Sequence, residues 1–497
     1  MDAREARKEL EARRLSPEDL LDLLERQERL VQRLQAEIDR LKQRLAQYEP
    51  SCQRDPSPAQ PHHDPSAPPN ASYSLHAEQQ RRAPKKRPKK SPGRRPTALK
   101  FADAHCFEDV YPPDVPKAHC QLLRQRAVWR LRDGRAVRVG YSLYGPPSGP
   151  EPAIPGVTPR CEYGIEILVV LAFLVYIIRI SLDKACAVFG FFAQLPLSRS
   201  QADALLRQLA NHWDDEFETL CELLAQAAVV YMDETGWKVG TEGCALWTFA
   251  SKAQRVFLFG CHKDAATLDT ILPPDVFEGI GVSDDAAVYR QRFVRGQKCW
   301  AHLLRKAIRL ALLYPRKKRY QRFLDGLLEL YHEAKRIAED GRRGRAGRLE
   351  RVGDLENRLF DLCRPYERAV NGETPPDERD FQNLMNELLD RLLDEELFTF
   401  VVNPEVEATN NLSERLQRGP ALDRKTGRTS KTAAGARRRS VIVSVLESLR
   451  VNLEEFTLTS VVAEVGRWLE EGISRFAREA ERLLREKEEK MGVVDTG

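Results

Sequence analysis

The run AAVVYMDETGW (227–237), followed by ALWTFAS (245–251), RVFLFG (255–260), DAATLDTIL (264–272) and GIGVSDD (279–285), decides the fold of this 497-residue chain. The first three pieces are short and rich in β-branched and aromatic residues, with glycine and polar residues between them. They read as consecutive antiparallel strands. DAATLDTIL has a helical pattern, and GIGVSDD is a fourth strand, apolar until it reaches its acids. Asp233 ends the first of these strands and Asp284 the fourth, while Glu414 stands just inside a predicted helix in EATNNLSERLQR (407–418). The acids are 51 residues apart (233 to 284) and then 130 (284 to 414).

Three strands, a helix, a fourth strand ending in an acid and a late helical acid form the layout of an RNase H-like domain. Its chemistry needs carboxylates because two Mg²⁺ ions, about 3.5–4 Å apart, must be bridged by oxygen ligands. Taken singly, an aspartate after a strand most often caps a turn. Joint placement is what points to chemistry. Spacing alone does not choose Asp284 over Asp285, or Glu414 over Glu407.

Upstream, Ser16, Pro17 and Asp19 make a helix start. Leu24, Val31, Ile38 and Leu45 then repeat every seven residues, as do Leu20, Gln27, Leu34, Leu41 and Tyr48. This a/d seam predicts a dimerising coiled coil over 1–48, Gln27 fixing register, against the alternative of one amphipathic helix packed on its own chain. Residues 49–100 are a Pro-rich linker without the apolar side chains to fold alone. Its basic run includes Lys85, Lys86, Arg87, Lys89 and Lys90 with no acid among them, and such a cluster binds phosphates by counterion release. Strand-like pieces such as AVRVGYSLYG predict a small β-rich module at 101–160. A helical region follows at 161–226, with Ser198 or Ser200 as an N-cap. Helix dominates from about 299 onward.

Lys and Arg number 79 against 74 Asp and Glu, a net charge of +5 that argues weakly against a nucleic-acid partner until its distribution is read. Ten scattered cysteines, with no C-x-x-C pair, predict reduced thiols rather than a disulfide framework. The charged start MDAREARKEL predicts no secretory signal, and the apolar run 167–178 is too short to span a bilayer. These features lead us to expect a cytoplasmic protein without a membrane partner.

DETGW (233–237), SDDAAVY (283–289), QKCWAHLLRK (297–306), EATNNLSERLQR and RKTGRTSKTAAGARR (424–438) together resemble the signature blocks of the insertion-sequence 66 family of bacterial transposases, from about 163 to 450. The resemblance implies a DDE transposase. Its RNase H-like core, a mixed five-stranded sheet with flanking helices, would occupy 227–310 and 403–450, around a large helical insertion at 311–402 and before C-terminal helices at 451–497. On it Asp233, Asp284 and Glu414 are catalytic and hold two Mg²⁺, for which Mn²⁺ substitutes. SDD stands where the family usually has SDG, so Asp285 adds a charge beside the metals. The family's paired C-x-x-C zinc knuckles are reduced here to His105-Cys106 and His119-Cys120. Adjacent ligands on an extended chain point to opposite faces, so no zinc ligands are assigned there.

After Glu414 come Arg415, Arg418, Arg424, Lys425, Arg428, Lys431, Arg437 and Arg438, with Asp423 the sole acid among them, which predicts contact with a DNA backbone. Trp237 stacks on a base or, more in keeping with its surroundings, packs in the core. His302 either contacts DNA or assists near the metals, or is a structural histidine on the helix surface. The implied function is Mg²⁺-dependent cleavage at terminal inverted repeats and strand transfer into double-stranded target DNA, by a dimer or larger assembly, with element-encoded accessory proteins allowed. Two alternatives stay open: an inactive DNA-binding descendant, and an RNase H-like nuclease without strand transfer.

Overall fold

The computed structural model describes residues 95–366 and 374–494. Contacts divide the chain into Met1–Arg95 and Pro96–Gly497, and every described element lies in the second. The expected coiled coil and the basic run Lys85–Lys90 fall outside the described residues.

Three strands come first: β1 (Cys106–Val110), β2 (Gln121–Arg132) and β3 (Arg135–Gly145), in the order β1-β3-β2. Val128, Val139 and Tyr141 from this sheet are buried in one core with Ile165 and Leu168 of the next helix. Numbering helices of eight residues or more, α1 (Ile165–Ala172), α2 (Leu182–Phe192), α3 (Arg199–His212) and α4 (Asp214–Ala225) follow. Ser198 is the N-cap of α3, locked in a reciprocal capping box with Gln201. The apolar run at 167–178 is a buried helix ending in a π-turn (Phe173–Ile177), and no described helix is long and apolar enough to cross a membrane.

The central sheet is mixed and five-stranded. Its members are β4 (Val229–Val239), β5 (Glu242–Ala250), β6 (Arg255–Cys261), β7 (Ile280–Ser283) and β8 (Arg295–Lys298), in the order β6-β5-β4-β7-β8. The β4–β5 and β5–β6 pairs are antiparallel, the β4–β7 and β7–β8 pairs parallel. This sheet with its flanking helices is compatible with an RNase H-like α/β fold. The strand at 227–237 does not end at Asp233, as its apolar run suggested. It continues to Val239 in the hairpin with β5, and only the parallel ladder with β7 stops short of the acid.

Alternate side chains of β4 enter different cores, as the period of two requires. Val230 and Met232 pack with α1, α3 and α4, whereas Tyr231 packs with the helices inserted after β8. Those helices are α5 (Trp300–Leu313), α6 (Lys318–Glu339), α7 (Arg345–Cys363) and α8 (Pro376–Leu393). The chain returns to the sheet with α9 (Asn411–Lys425) and α10 (Ala433–Asn452), then ends in α11 (Leu458–Glu471) and α12 (Arg475–Val494).

Helix α10 seals the β6 edge. Ser440, Ser444 and Ser448, four residues apart on one helical face, accept hydrogen bonds at 2.9 Å from the backbone N–H groups of Phe259, Phe257 and Arg255. Ser448 Oγ also donates to the Arg255 carbonyl at 3.0 Å. At the other edge, the Lys298 N–H donates to the Glu396 carbonyl at 2.8 Å, and the Gln297 side chain bonds the Leu397 carbonyl and the Phe400 N–H.

Candidate active site

The parallel ladder sets the site. Val229, Val230 and Tyr231 pair with Ile280, Gly281 and Val282, and two residues beyond the last pair come Asp233 and Asp284. Both are half-buried. The Asp233 carboxyl is pushed up to about 7, first by burial, then by the negative charges of Asp284, Glu234 and Glu414. Asp284 Oδ1 accepts the Ala286 N–H at 3.0 Å, which fixes the turn leaving β7.

The neighbouring acids are occupied otherwise. Asp285 lies 3.0 Å from the buried Arg391 guanidinium of α8 and 3.4 Å from Arg290. Glu234, 2% exposed at its side chain, pairs with Lys263 and accepts from the Tyr289 hydroxyl. Tyr289 is itself buried, and burial together with Glu234 holds its phenol well above the ordinary range. Glu407 is exposed on the loop before α9.

Glu414 comes from the first turn of α9, whose sheet-facing side is polar and tied down. Asn410, fully buried, donates from Nδ2 to the Met232 carbonyl at 2.7 Å, next to Asp233. Seven residues on, Gln417 donates to Thr248 Oγ1 at 3.3 Å, and Thr248 Oγ1 donates to the Asp233 carbonyl at 3.1 Å. Asn410, Glu414 and Gln417 thus share one helical face, and two of them anchor the third. The Glu414 carboxylate lies 3.7 Å from His302 Nδ1 and 3.4 Å from Arg305, both on α5. Its Oε1 atom is buried without a hydrogen-bond partner.

The negative charges of Asp284, Glu234 and Glu414 add to burial in raising Asp233, and one Glu414 oxygen is left unpartnered. Such a donor set fits a divalent cation, which supplies the missing positive charge and oxygen coordination.

The sequence and the geometry meet in a single comparison. The family model described as Transposase IS66 family matches residues 160–438, more than half of the chain. The chain belongs to that family. No curated protein matches it. Membership supports transposase function, a divalent-metal-dependent chemistry and DNA as substrate.

In this IS66-family chain the basic residues after Glu414 divide into two groups. Arg415, Arg418 and Lys425 are exposed on α9 along one stripe facing away from the sheet. They and the exposed Lys431 form no ion pair among the described residues. The others are engaged within the chain. Arg437 pairs with Asp214 at 2.9 Å and with Glu218, and Arg438 with Asp203 at 2.8 Å. Arg424 donates to Thr235 Oγ1 at 3.0 Å and to the Gly236 carbonyl at 2.8 Å, and Arg428 donates to the Arg179 carbonyl.

Trp237 is core: it is 2% exposed, donates to Ser430 Oγ at 3.2 Å and packs edge-on against Phe259. His105 Nδ1 accepts the Arg138 N–H at 2.9 Å, and Cys120 Sγ contacts the Pro116 carbonyl at 3.6 Å.

The anchors Asn410 and Gln417 and the clamp Arg391 escaped the sequence reading. For the first two a signal was present in NNLSERLQ, where buried polar residues recur at helical spacing around the acid. Arg391 also pairs with Asp394 and Glu396 close by, but nothing local marks its reach to Asp285, 106 residues away (285 to 391).

Proposed function

We propose that the protein cuts DNA at the terminal inverted repeats of its own insertion sequence and joins the freed 3′-hydroxyls to target DNA. Asp233, Asp284 and Glu414 would hold two Mg²⁺, or Mn²⁺ in their place. The observation that supports this reading is the electrostatic coupling of acids from β4, β7 and α9, with Asp233 raised to about 7 by burial and by the charges of Asp284, Glu234 and Glu414. When bound, the metals would acidify the attacking water or 3′-hydroxyl and stabilise the leaving oxygen.

The chain's own residues supply position. Asn410 and Gln417 fix the helix that carries Glu414 to the strand that carries Asp233. Arg391 draws Asp285 toward the inserted helices, leaving Asp284 as the acid of the SDD sequence beside Asp233. Arg415, Arg418, Lys425 and Lys431, which form no ion pair among the described residues, offer exposed cations to phosphates, which offsets the repulsion between an acidic site and a polyanion. Self-association through residues 1–48, phosphate contact by Lys85–Lys90 and a cytoplasmic location complete the proposal, on the sequence alone.

The test is cleavage and joining of DNA bearing the element's terminal repeats, by purified full-length protein in Mg²⁺. Both activities should appear and both should vanish in Asp233→Ala. Cleavage without joining would favour the nuclease alternative. Binding without cleavage in Mg²⁺ or Mn²⁺ would leave only a DNA-binding protein.

A further inference from the structure

Among the described residues, one set of three metal-ligand side chains has its donor atoms within 4.8 Å of one another: Cys299, His302 and Glu414. It does not include either aspartate. Cys299 is the N-cap residue of α5, and His302 follows three residues later, which sets both side chains over the same helix end. Glu414 meets them from the first turn of α9.

We infer that these three residues form a binding site for a soft divalent ion, zinc above all, distinct in chemistry from the hard-cation site beside it. Four observations support this. His302 Nδ1 and Glu414 Oε1 lie 3.7 Å apart, and both are buried atoms with no hydrogen-bond partner. Such atoms are costly to leave unmade, at about 1–3 kcal/mol each. Two ligands about 2.1 Å from a tetrahedral zinc stand roughly 3.4 Å apart, so the observed separation needs little adjustment. Cys299 Sγ accepts the Asn410 N–H at 3.2 Å, a bond of the kind that steadies a metal-bound thiolate from outside. Arg305 approaches the other Glu414 oxygen, Oε2, at 3.4 Å and leaves Oε1 for the ion.

The donor types set the selectivity. A thiolate and an imidazole suit zinc, while magnesium asks for oxygen and octahedral geometry. Binding expels the Cys299 thiol proton to solvent, so a thiolate and a carboxylate offset the two charges of the ion, with His302 neutral. Three protein ligands leave a fourth position for water. An ion here ties Glu414 to α5, and zinc therefore inhibits catalysis that depends on Glu414. That inhibitory consequence rests on the role proposed for Glu414 above; the binding itself does not.

The experiment uses the full-length chain, stripped of metal and titrated with Co²⁺ as a coloured stand-in for Zn²⁺. One equivalent should give a sulfur-to-cobalt charge-transfer band that Zn²⁺ displaces. The band should be absent in Cys299→Ala, while His302→Gln should keep it but bind cobalt at least about tenfold more weakly. No band in the wild type, or a band unchanged in Cys299→Ala, overturns the site. Should Cys299→Ala fail to fold, an unchanged cobalt affinity in His302→Gln overturns it instead. In Mg²⁺-dependent cleavage, zinc should inhibit the wild type at concentrations that Cys299→Ala resists, and equal inhibition of both overturns the regulatory part. If Mg²⁺ supports no cleavage at all, the proposed function fails while the cobalt band still decides the zinc site.

Discussion

Asp233 and Asp284 stand level with each other, each two residues past the final pair, Tyr231 and Val282, of one parallel ladder. The arrangement brings two carboxylates side by side from positions 51 residues apart. Changing either to asparagine keeps the shape and removes a charge. Asp233→Asn and Asp284→Asn should each abolish Mg²⁺-dependent cleavage and joining while retaining binding to terminal-repeat DNA. Residual cleavage near the wild-type rate in either variant would remove that residue from the proposed site.

The raised carboxyl of Asp233 makes stability depend on pH. Its folded value of about 7 comes from burial first and then from Asp284, Glu234 and Glu414. The unfolded chain returns it to about 3.9. A fold that prefers the protonated acid has this contribution in full below about pH 4 and loses it as pH rises through about 7. The Tm of metal-free protein should therefore fall across that window more steeply than the Tm of Asp233→Asn. Added Mg²⁺ should reverse the fall, because it binds the ionised carboxylate. Parallel Tm curves for the two proteins would contradict the assignment.

Asn410 ties the helix of Glu414 to the strand of Asp233. Asn410→Ala should lower metal affinity by about 10–100-fold, as loss of outer-shell support commonly does. Calorimetric titration with Mn²⁺ measures this. The same substitution should also lower Tm, since the Met232 carbonyl loses its partner.

Ser444 carries the middle rung between α10 and the edge strand. Ser444→Ala leaves the Phe257 N–H buried and unpaired, and should cost about 1–3 kcal/mol in denaturant unfolding. DNA affinity should be unchanged.

The two groups of arginines predict opposite phenotypes. Arg415→Ala and Arg418→Ala should weaken DNA binding at every sequence, each lowering the slope of log K against log salt by about one. Arg437→Ala should leave that slope alone and affect stability, because its charge is spent on Asp214 and Glu218. Salt titrations of binding for the three variants separate the classes.

Much of this architecture was written in local pattern. The β4–β6 strands, the capping box at Ser198 and the helix bearing Glu414 follow from hydrophobic period and capping chemistry. Strand β8 did not: its residues, RGQK, are polar, and their burial depends on bonds to residues near 397 and 400. The boundary expected at 310 falls inside α5, since Trp300 already packs with the inserted helices and no break in the pattern marks the change. For the site, the acids were legible as residues at strand and helix ends. Which of Asp284 and Asp285 acts on Asp233 was not, because the ion pair that engages Asp285 comes from Arg391 on a distant helix. Basic residues were legible as charge but not as free charge, because their partners Asp203, Asp214 and Glu218 lie more than 200 positions earlier.

The serine rungs on β6 and the 396–400 segment along β8 have a consequence for how copies of this protein can meet. Neither outer strand offers the row of free N–H and C=O groups onto which another β-strand could zip. Joining copies by extending this five-stranded sheet into that of another copy is closed off. A multi-copy complex on DNA would therefore leave this sheet five strands wide, and contacts between copies at this sheet would run through side-chain surfaces or helices.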